Sequence, residues 1–551
     1  MNDSLNSLTN PPFLSITPLG GLEQIGSNMS LLEIEGHRIL LDVGILFPAT
    51  SFLNVNCLIP NYEALFDATP PNSIFITHAH EDHIGALSFF IKKFPGITVY
   101  FSEFVEQYYL KRSEFKHLHF KRELITATIP IKITSEIECT FLEFDHSIPQ
   151  THGLLWNFKT HQFAWLYISD FKLNPEETSL TRKAIQTSLP LFQKSKYSLV
   201  MADSTNITSK NTTKSEQSLR PSFQKYFKNN KRIFITFFAS NIERATLLAE
   251  EAKKLGKKIV PVGRSMEKLT DFLKIPVFSP SQVSPDDSVI FFVSGCQADY
   301  KSALVRLAKN EHKEIKLKTG DLFLFSSKAI PGNEKALSHC YNMLTELGVD
   351  IKTAQDDFLH VSGHAYQEDL RYLYQTLKPT WAIPIHGELL FLKRHADFIE
   401  QEFSSLPIKP LFLKNFKKIE FFKENSGPEI TPKISQASLE EEQRPLAFLQ
   451  SGTFLSSSSL AQRAKMASLG VVITIIAPQK RNSPVHCELI GLPYVSVQDV
   501  QKYKKTILSL YKGLSKTHKK KDLSEEVRVK TRQFFDKLFG ERPLSFVFIV
   551  D

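Results

Sequence analysis

The sequence predicts an α/β protein of several domains, and three observations lead there. The chain has 551 residues, which exceeds what one hydrophobic core usually organises and predicts two to four domains. The first hundred residues read as short apolar strands broken by turns, such as Leu31–Ile34, Ile39–Asp42 and Ser73–Thr77. Beyond residue 200, strands alternate with helices: Ile233–Phe238 and Lys258–Val262 flank Glu243–Leu255, whose Ala and Leu residues recur at helical spacing. That alternation marks a parallel sheet with crossover helices. Asn241, just ahead of the helix, is placed to cap it.

Residues 424–445 combine Pro, Ser and charge with few large apolar side chains and read as a linker. Beyond it, runs such as Val471–Ala477 and Phe546–Val550 predict a small separate α/β domain over 446–551. The basic run Lys516–Lys521 is a solvated surface segment or a contact for a polyanion backbone.

Composition excludes several classes. Hydrophobic residues make up 42% and charged residues 23%, an ordinary globular balance, and the 44 phenylalanines predict well-filled cores. No apolar run approaches the length of a membrane span. The polar start, Met1–Leu14, does not resemble a secretory signal. The five cysteines, Cys57, Cys139, Cys296, Cys340 and Cys487, form no Cys-x-x-Cys pair, which argues for reduced, mostly buried thiols in a cytosolic protein. The net charge of +9 is compatible with a polyanionic partner.

The chemistry concentrates in Thr77-His78-Ala79-His80-Glu81-Asp82-His83, directly after the apolar strand Ser73–Ile76. Neutral imidazoles and carboxylates are zinc ligands, and a lone histidine is usually structural. Four ligand-type residues within six positions reverse that expectation. A turn at a strand end can aim His78 and His80 into one site and Asp82 and His83 into a neighbouring one. The remaining ligands must come from elsewhere. His146, Asp170 and His386 each follow an apolar strand, which gives seven candidate metal ligands, all at strand ends.

The series His78-x-His80-x-Asp82-His83, His146, Asp170 resembles the ligand set of the metallo-β-lactamase superfamily, and Asp42 matches the structural first Asp of that fold. Asp203-Ser204-Thr205-Asn206, Ser362-Gly363-His364 and Pro384-Ile385-His386-Gly387-Glu388 resemble the three motifs of its β-CASP subgroup. Leu19-Gly20-Gly21, Ile25-Gly26-Ser27-Asn28, Phe238-Ala239-Ser240-Asn241, Val262-Gly263-Arg264-Ser265-Met266, Ala329–Asn333 and His360–His364 narrow the resemblance to the ribonuclease J family over about residues 16–395. The sequence departs from that family at Asn54 and Asn56, where acidic residues are usual, and at Gln150, Ser169 and Glu243, where Asp, Gly, and His or Tyr are usual.

The resemblance implies a metallo-β-lactamase αββα sandwich over 1–200 and 364–423, a β-CASP parallel α/β domain inserted at 201–363, the linker, and the C-terminal domain. It implies two zinc ions per subunit: one on His78, His80 and His146, one on Asp82, His83 and His386, bridged by Asp170. Asp82 and His364 are the expected catalytic residues. His360, Val361, Ser362, Gly363, His364, Ser240, Asn241 and Arg264 are the expected substrate contacts, with helix capping the competing role for Ser240 and Asn241. Small residues at Ser362 and Gly363 would let an RNA backbone approach closely.

The implied activity is a cytoplasmic ribonuclease with endonuclease and 5′-to-3′ exonuclease action on messenger and ribosomal RNA. It would prefer single strands with a 5′-monophosphate and work as a homodimer or homotetramer, with a place in an RNA-degradation complex and none in a membrane. A small-molecule hydrolase of the same superfamily would share the ligands but has no need of the long insertion between Asp170 and His364. A non-catalytic RNA-binding scaffold would be expected to have lost a ligand.

Overall fold

The computed structural model describes residues 11–47, 55–61, 66, 69–299, 302–330, 332–423, 429–436, 446–449, 454–479, 484–515 and 520–550. Asn54, most of 424–445 and Lys516–Lys519 lie outside them, as do the side chains of Lys520 and Lys521. The chain divides into two compact units, 1–49 with 59–443, and 50–58 with 444–551.

In the first unit, apolar alternation builds two facing sheets. One has eight strands in the order Ile430–Gln436, Lys417–Lys423, Leu14–Gly20, Met29–Ile34, His37–Leu41, Ser73–Phe75, Thr98–Phe101, Lys121–Leu124. The other has seven, in the order Lys409–Pro410, Trp381–Ile385, Tyr197–Asp203, Phe163–Ile168, Thr151–Phe158, Ile137–Phe144, Ile131–Lys132. Ile39, Leu41 and Phe75 from the first meet Phe141, Trp156, Trp165 and Met201 from the second in one core. The helices Leu180–Lys194, Gln367–Leu377 and Leu389–Glu402 cover the second sheet's outer face. On the first sheet, Leu40, Ile74 and Val99 alternate with the core set and are equally buried. The crossover from Ser73–Phe75 to its parallel neighbour Thr98–Phe101 carries the helix Leu87–Lys93 onto that face. The result is the expected αββα sandwich.

The alternation beyond residue 200 forms a wholly parallel sheet in the order Lys258–Val262, Val289–Val293, Arg232–Thr236, Leu322–Phe325, Asp350–Lys352. It is inserted between Tyr197–Asp203 and Trp381–Ile385, which are parallel neighbours in the sandwich. Its helix spans Ile242–Lys254, and the Asn241 side chain accepts from the Arg244 amide as its N-cap.

Two boundaries differ from the sequence reading. Ile430–Gln436, inside the expected linker, is a strand paired antiparallel with Lys417–Lys423. Ile430 is buried, and Pro432 is tolerated because this is the sheet's edge. Residues 50–58 group with the C-terminal unit rather than the sandwich, because Val55 shares a small core with Ala447 and Leu449.

The second unit also contains the sheet Val485–Ile490, Val471–Ile476, Leu544–Ile549, with the helices Val497–Leu514 and Lys520–Phe539 supplying Tyr503, Ile507, Val527 and Phe535 to its core. Cys57, Cys139, Cys296 and Cys340 are buried and Cys487 is half-buried. No described helix is long and apolar enough to cross a membrane.

Candidate metal centre

The seven expected ligands come from loops that leave the two sheets at one end. His78 follows Ser73–Phe75, His146 follows Ile137–Phe144, Asp170 follows Phe163–Ile168, and His386 follows Trp381–Ile385. Asp82 and His83 lie on the short helix Glu81–Ile84. Strand spacing holds the loops side by side, and the expected ligand atoms fall into two clusters, His78, His80, His146 and Asp170 beside Asp82, His83 and His386, with Asp170, His364 and His386 forming a third group that overlaps both.

Asp170 joins the clusters. Its Oδ2 lies 3.7 Å from His78 Nε2 and 3.5 Å from His146 Nε2. Its Oδ1 lies 3.1 Å from His83 Nε2 and 3.5 Å from His386 Nε2. Asp82 Oδ2 faces the same two nitrogens at 3.6 and 3.5 Å.

Outer hydrogen bonds decide which nitrogen each ring offers. His146 Nδ1 lies 2.7 Å from the Gly363 carbonyl, which can only accept, so Nδ1 carries the proton and Nε2 is bare. His78 Nδ1 donates to Thr77 Oγ1 at 2.9 Å, while that hydroxyl donates to Asp42 Oδ2 at 2.8 Å. His83 Nδ1 donates to Asp42 Oδ2 at 2.8 Å, and His386 Nδ1 to Thr205 Oγ1 at 2.8 Å.

The donor set fits metal ions. His80 Nδ1 stands 3.0 Å from His78 Nε2 and 3.2 Å from His146 Nε2, so lone pairs converge with little to separate them. His386 Nε2 and Asp170 Oδ1 are buried without a well-directed hydrogen bond. A cation in each cluster would resolve both features.

The metal-free electrostatics divide the ligands: burial opposes charge on His386, but Asp170, Asp203 and Asp82 lift it well above the usual histidine range, so it and His83 hold a proton that a cation would displace. Burial drives His78 and His146 well below the usual histidine range and His80 down to about 4, which leaves their lone pairs available. Burial opposes charge on His83 as well, but Asp170, Asp82 and Asp42 outweigh it and lift His83 to about 10. Burial likewise opposes ionisation of Asp170, yet the charges of His386, His83 and His78 hold it well below the usual carboxylate range.

His364 sits over the junction. Its ring stacks on His386 with centroids 5.3 Å apart and meets His146 edge-on at 5.2 Å. Its Nδ1 donates to Asp203 Oδ2 at 2.8 Å. Burial works against its charge, but Asp203 raises its pKa, and about a quarter of the side chain faces solvent. Asp203 was legible only as part of a motif, and its role emerges here: its Oδ1 also lies 3.4 Å from His386 Nδ1.

The expected substrate contacts divide. Arg264 is exposed at the start of the helix Arg264–Phe272, and Ser240 lies half-buried in the turn before Ile242–Lys254. Asn241 is buried with both polar ends engaged, on the Arg244 amide and on Glu216 Oε1, so capping is the role it fills. The Val361 side chain is buried, which leaves only its backbone for a substrate contact. Ser362 Oγ accepts from Asn206 Nδ2 and the His364 amide. A Cβ at Gly363 would press on His146 Cε1 at 2.9 Å, which by itself asks for glycine there. The His360 ring, lowered to about 3 by burial, is neutral, and its Nδ1 has no hydrogen-bond partner among the described residues.

Among the departures, Gln150 accepts from the Phe104 amide, the Ser169 hydroxyl is buried without a partner among the described residues, and Glu243 pairs with the buried Lys172 at 3.1 Å.

An αββα sandwich whose strand-end loops converge seven histidine and aspartate ligands defines a metal-dependent hydrolase of the metallo-β-lactamase superfamily. The family models agree. Residues 22–152 match the metallo-beta-lactamase superfamily, 230–344 the ribonuclease J beta-CASP domain, and 348–409 a Zn-dependent metallo-hydrolase RNA specificity domain. Ribonuclease J of Helicobacter pylori is 30% identical, with 86% of this chain and 69% of that protein covered. Ribonuclease J of Mycolicibacterium smegmatis is 30% identical over 70% of this chain and 71% of its own. A crystal structure of a protein of unknown function from Enterococcus faecalis V583 covers 74% of this chain and 99% of its own, with a TM-score of 0.51 at 17% identity, a likeness of fold alone. The chain belongs to the ribonuclease J family.

Proposed function

We propose that this protein is a zinc-dependent ribonuclease with endonuclease and 5′-to-3′ exonuclease action. Its substrate would be single-stranded RNA, with a preference for a 5′-monophosphate, and its place the cytoplasm, as a homodimer or homotetramer. The observation that carries the reading is Asp170, whose two oxygens face different ligand clusters. His78, His80 and His146 would hold one zinc, and Asp82, His83 and His386 the other. When bound, the two ions supply a water nucleophile at neutral pH and Lewis-acid polarisation of the scissile phosphate.

The chain's own residues supply the rest. His364, anchored through Nδ1 on Asp203, presents its other nitrogen to the open side, where it can hold a proton against a phosphate oxygen or the departing 3′ oxygen. Asp203 and Thr205 keep His386 in the tautomer that leaves Nε2 free. Ser240 and Arg264 would contact RNA phosphates along the insert, and His360 would line the approach. Arg264 adds a guanidinium with no acidic partner among the described residues.

The test is cleavage of a 5′-labelled RNA in 5′-monophosphate and 5′-triphosphate forms, with and without chelator. Mononucleotide released from the monophosphate form and lost with chelator is expected. Internal fragments from both RNAs would make endonuclease action dominant. No cleavage of either by zinc-loaded protein would overturn the reading in favour of a small-molecule hydrolase or a scaffold.

A further inference from the structure

The segment Phe104–Arg112 packs against the short helix that carries Asp82 and His83, through Tyr109 and Arg112 on Glu81. Its Val105–Tyr109 stretch is a π-helical turn, a rare conformation found mostly where function places an extra residue. The turn sends consecutive tyrosines to different places. Tyr109 is buried and donates its hydroxyl to Glu81 Oε2 at 2.8 Å. The Tyr108 hydroxyl reaches the Ala239 carbonyl at 3.5 Å, and its ring packs with Phe104 against Phe272 of the insert. Glu81 lies between the ligands His80 and Asp82, and Ala239 precedes Ser240. The segment therefore touches both the metal centre and the insert's turn.

Arg112 follows this turn. Its Nη1 donates to Glu81 Oε1, and its guanidinium carbon lies 3.8 Å from the centre of the Tyr109 ring. Glu114 is a second, more distant acid. Glu81 engages one edge of the guanidinium and Tyr109 one face, yet 27% of the side chain remains exposed. A guanidinium has five donors in a rigid fork, so donors remain for a ligand. Neutralising Glu81 would need only a charge. The stacked and anchored fork is in addition preorganised, and the Glu81 that anchors it is flanked in sequence by the expected metal ligands His80 and Asp82.

We propose that Arg112 contacts a backbone phosphate of the bound RNA next to the metal centre, with Glu81 and Tyr109 as the residues that position it. This rests on the ribonuclease reading above. The contact is electrostatic and independent of base identity.

The test measures binding of a fluorescent 2′-O-methyl RNA oligomer by full-length, metal-loaded protein over about 50–300 mM salt. On a single strand each phosphate contact contributes about 0.7 to the slope of log affinity against log salt. Arg112→Gln should reduce that slope by about 0.7 and weaken low-salt binding about 10-fold. Arg112→Lys, which keeps the charge and safeguards folding, should retain the slope but bind about threefold more weakly, having lost the fork. An unchanged slope in Arg112→Gln overturns the proposal even if affinity falls, because a purely structural role lowers affinity without changing the number of ions released. Wild-type affinity in Arg112→Lys also overturns it. A wild-type protein that neither binds nor cleaves RNA would instead defeat the ribonuclease reading itself.

Discussion

Replacing Asp42 by Asn isolates what a residue outside the ligand set does for the metals. Asp42 is fully buried. Its Oδ1 accepts from the Thr77 amide at 2.8 Å, and its Oδ2 accepts from His83 Nδ1 and Thr77 Oγ1, each at 2.8 Å. The Thr77 amide can only donate, so the new amide oxygen must take the Oδ1 position. The NH₂ group then faces the Thr77 hydroxyl, which can turn to donate to Oδ1 at 3.1 Å, and the donor His83 Nδ1, which can answer only by moving its proton to Nε2, the nitrogen that points at Asp82 and Asp170. A protonated Nε2 cannot ligate. Losing such an outer partner typically costs about 10–100-fold in metal affinity, or roughly 1.4–2.7 kcal/mol. The crowded donors should also lower folding stability by about 1–3 kcal/mol. Backbone strain does not enter, because Asp42 has φ 57° and Asn accepts that conformation as readily. Zinc titration against a competing chelator dye, beside a denaturant melt, reads both effects. A folded Asp42→Asn protein with wild-type zinc affinity would refute the tautomer argument.

Gly44→Ala should disable the centre from a distance. A Cβ at Gly44 would overlap the Asp82 carbonyl and crowd the Asn28 amide, so the helix bearing Asp82 and His83 must shift. Activity on RNA should fall about 10²-fold while circular dichroism shows a folded chain, and near-normal activity would show that the loop can yield. Glu216→Gln should destabilise the insert. Glu216 accepts from Arg244, which is fully buried, and from Asn241 Nδ2 at 3.1 Å, and an uncompensated buried guanidinium costs about 3–5 kcal/mol. Burial raises the Glu216 pKa, but Arg244, followed by Lys172 and Asn241, brings it below the ordinary glutamate value. Because the folded pKa is depressed, the stabilisation is present above the unfolded value, about 4.3, and is lost as pH falls through the folded one. Denaturant melts from neutral pH down to about pH 3 should therefore slope less steeply in Glu216→Gln, and parallel curves would refute the assignment.

The sequence by itself determined the parts of this protein that depend on local pattern and side-chain chemistry. His78-x-His80-x-Asp82-His83 declares a metal site because imidazole and carboxylate at that density have little other use. Apolar alternation and a cap at Asn241 declare the parallel insert. Tertiary structure decided what depends on groups far apart in sequence. Pro and charge made Ile430–Gln436 read as linker, whereas a sheet edge accepts both. Gly363 reads as room for a ligand, and the structure adds a second demand for glycine there, since a Cβ would press on His146, 217 residues away. Asn241 could have met RNA until Glu216 and the Arg244 amide took both its ends. Asp203, Thr205 and Asp42 show no ligand spacing, yet they fix the tautomers on which ligation depends. A hydrogen-bond partner is set by where strands end in space, and residue order alone does not contain that distance.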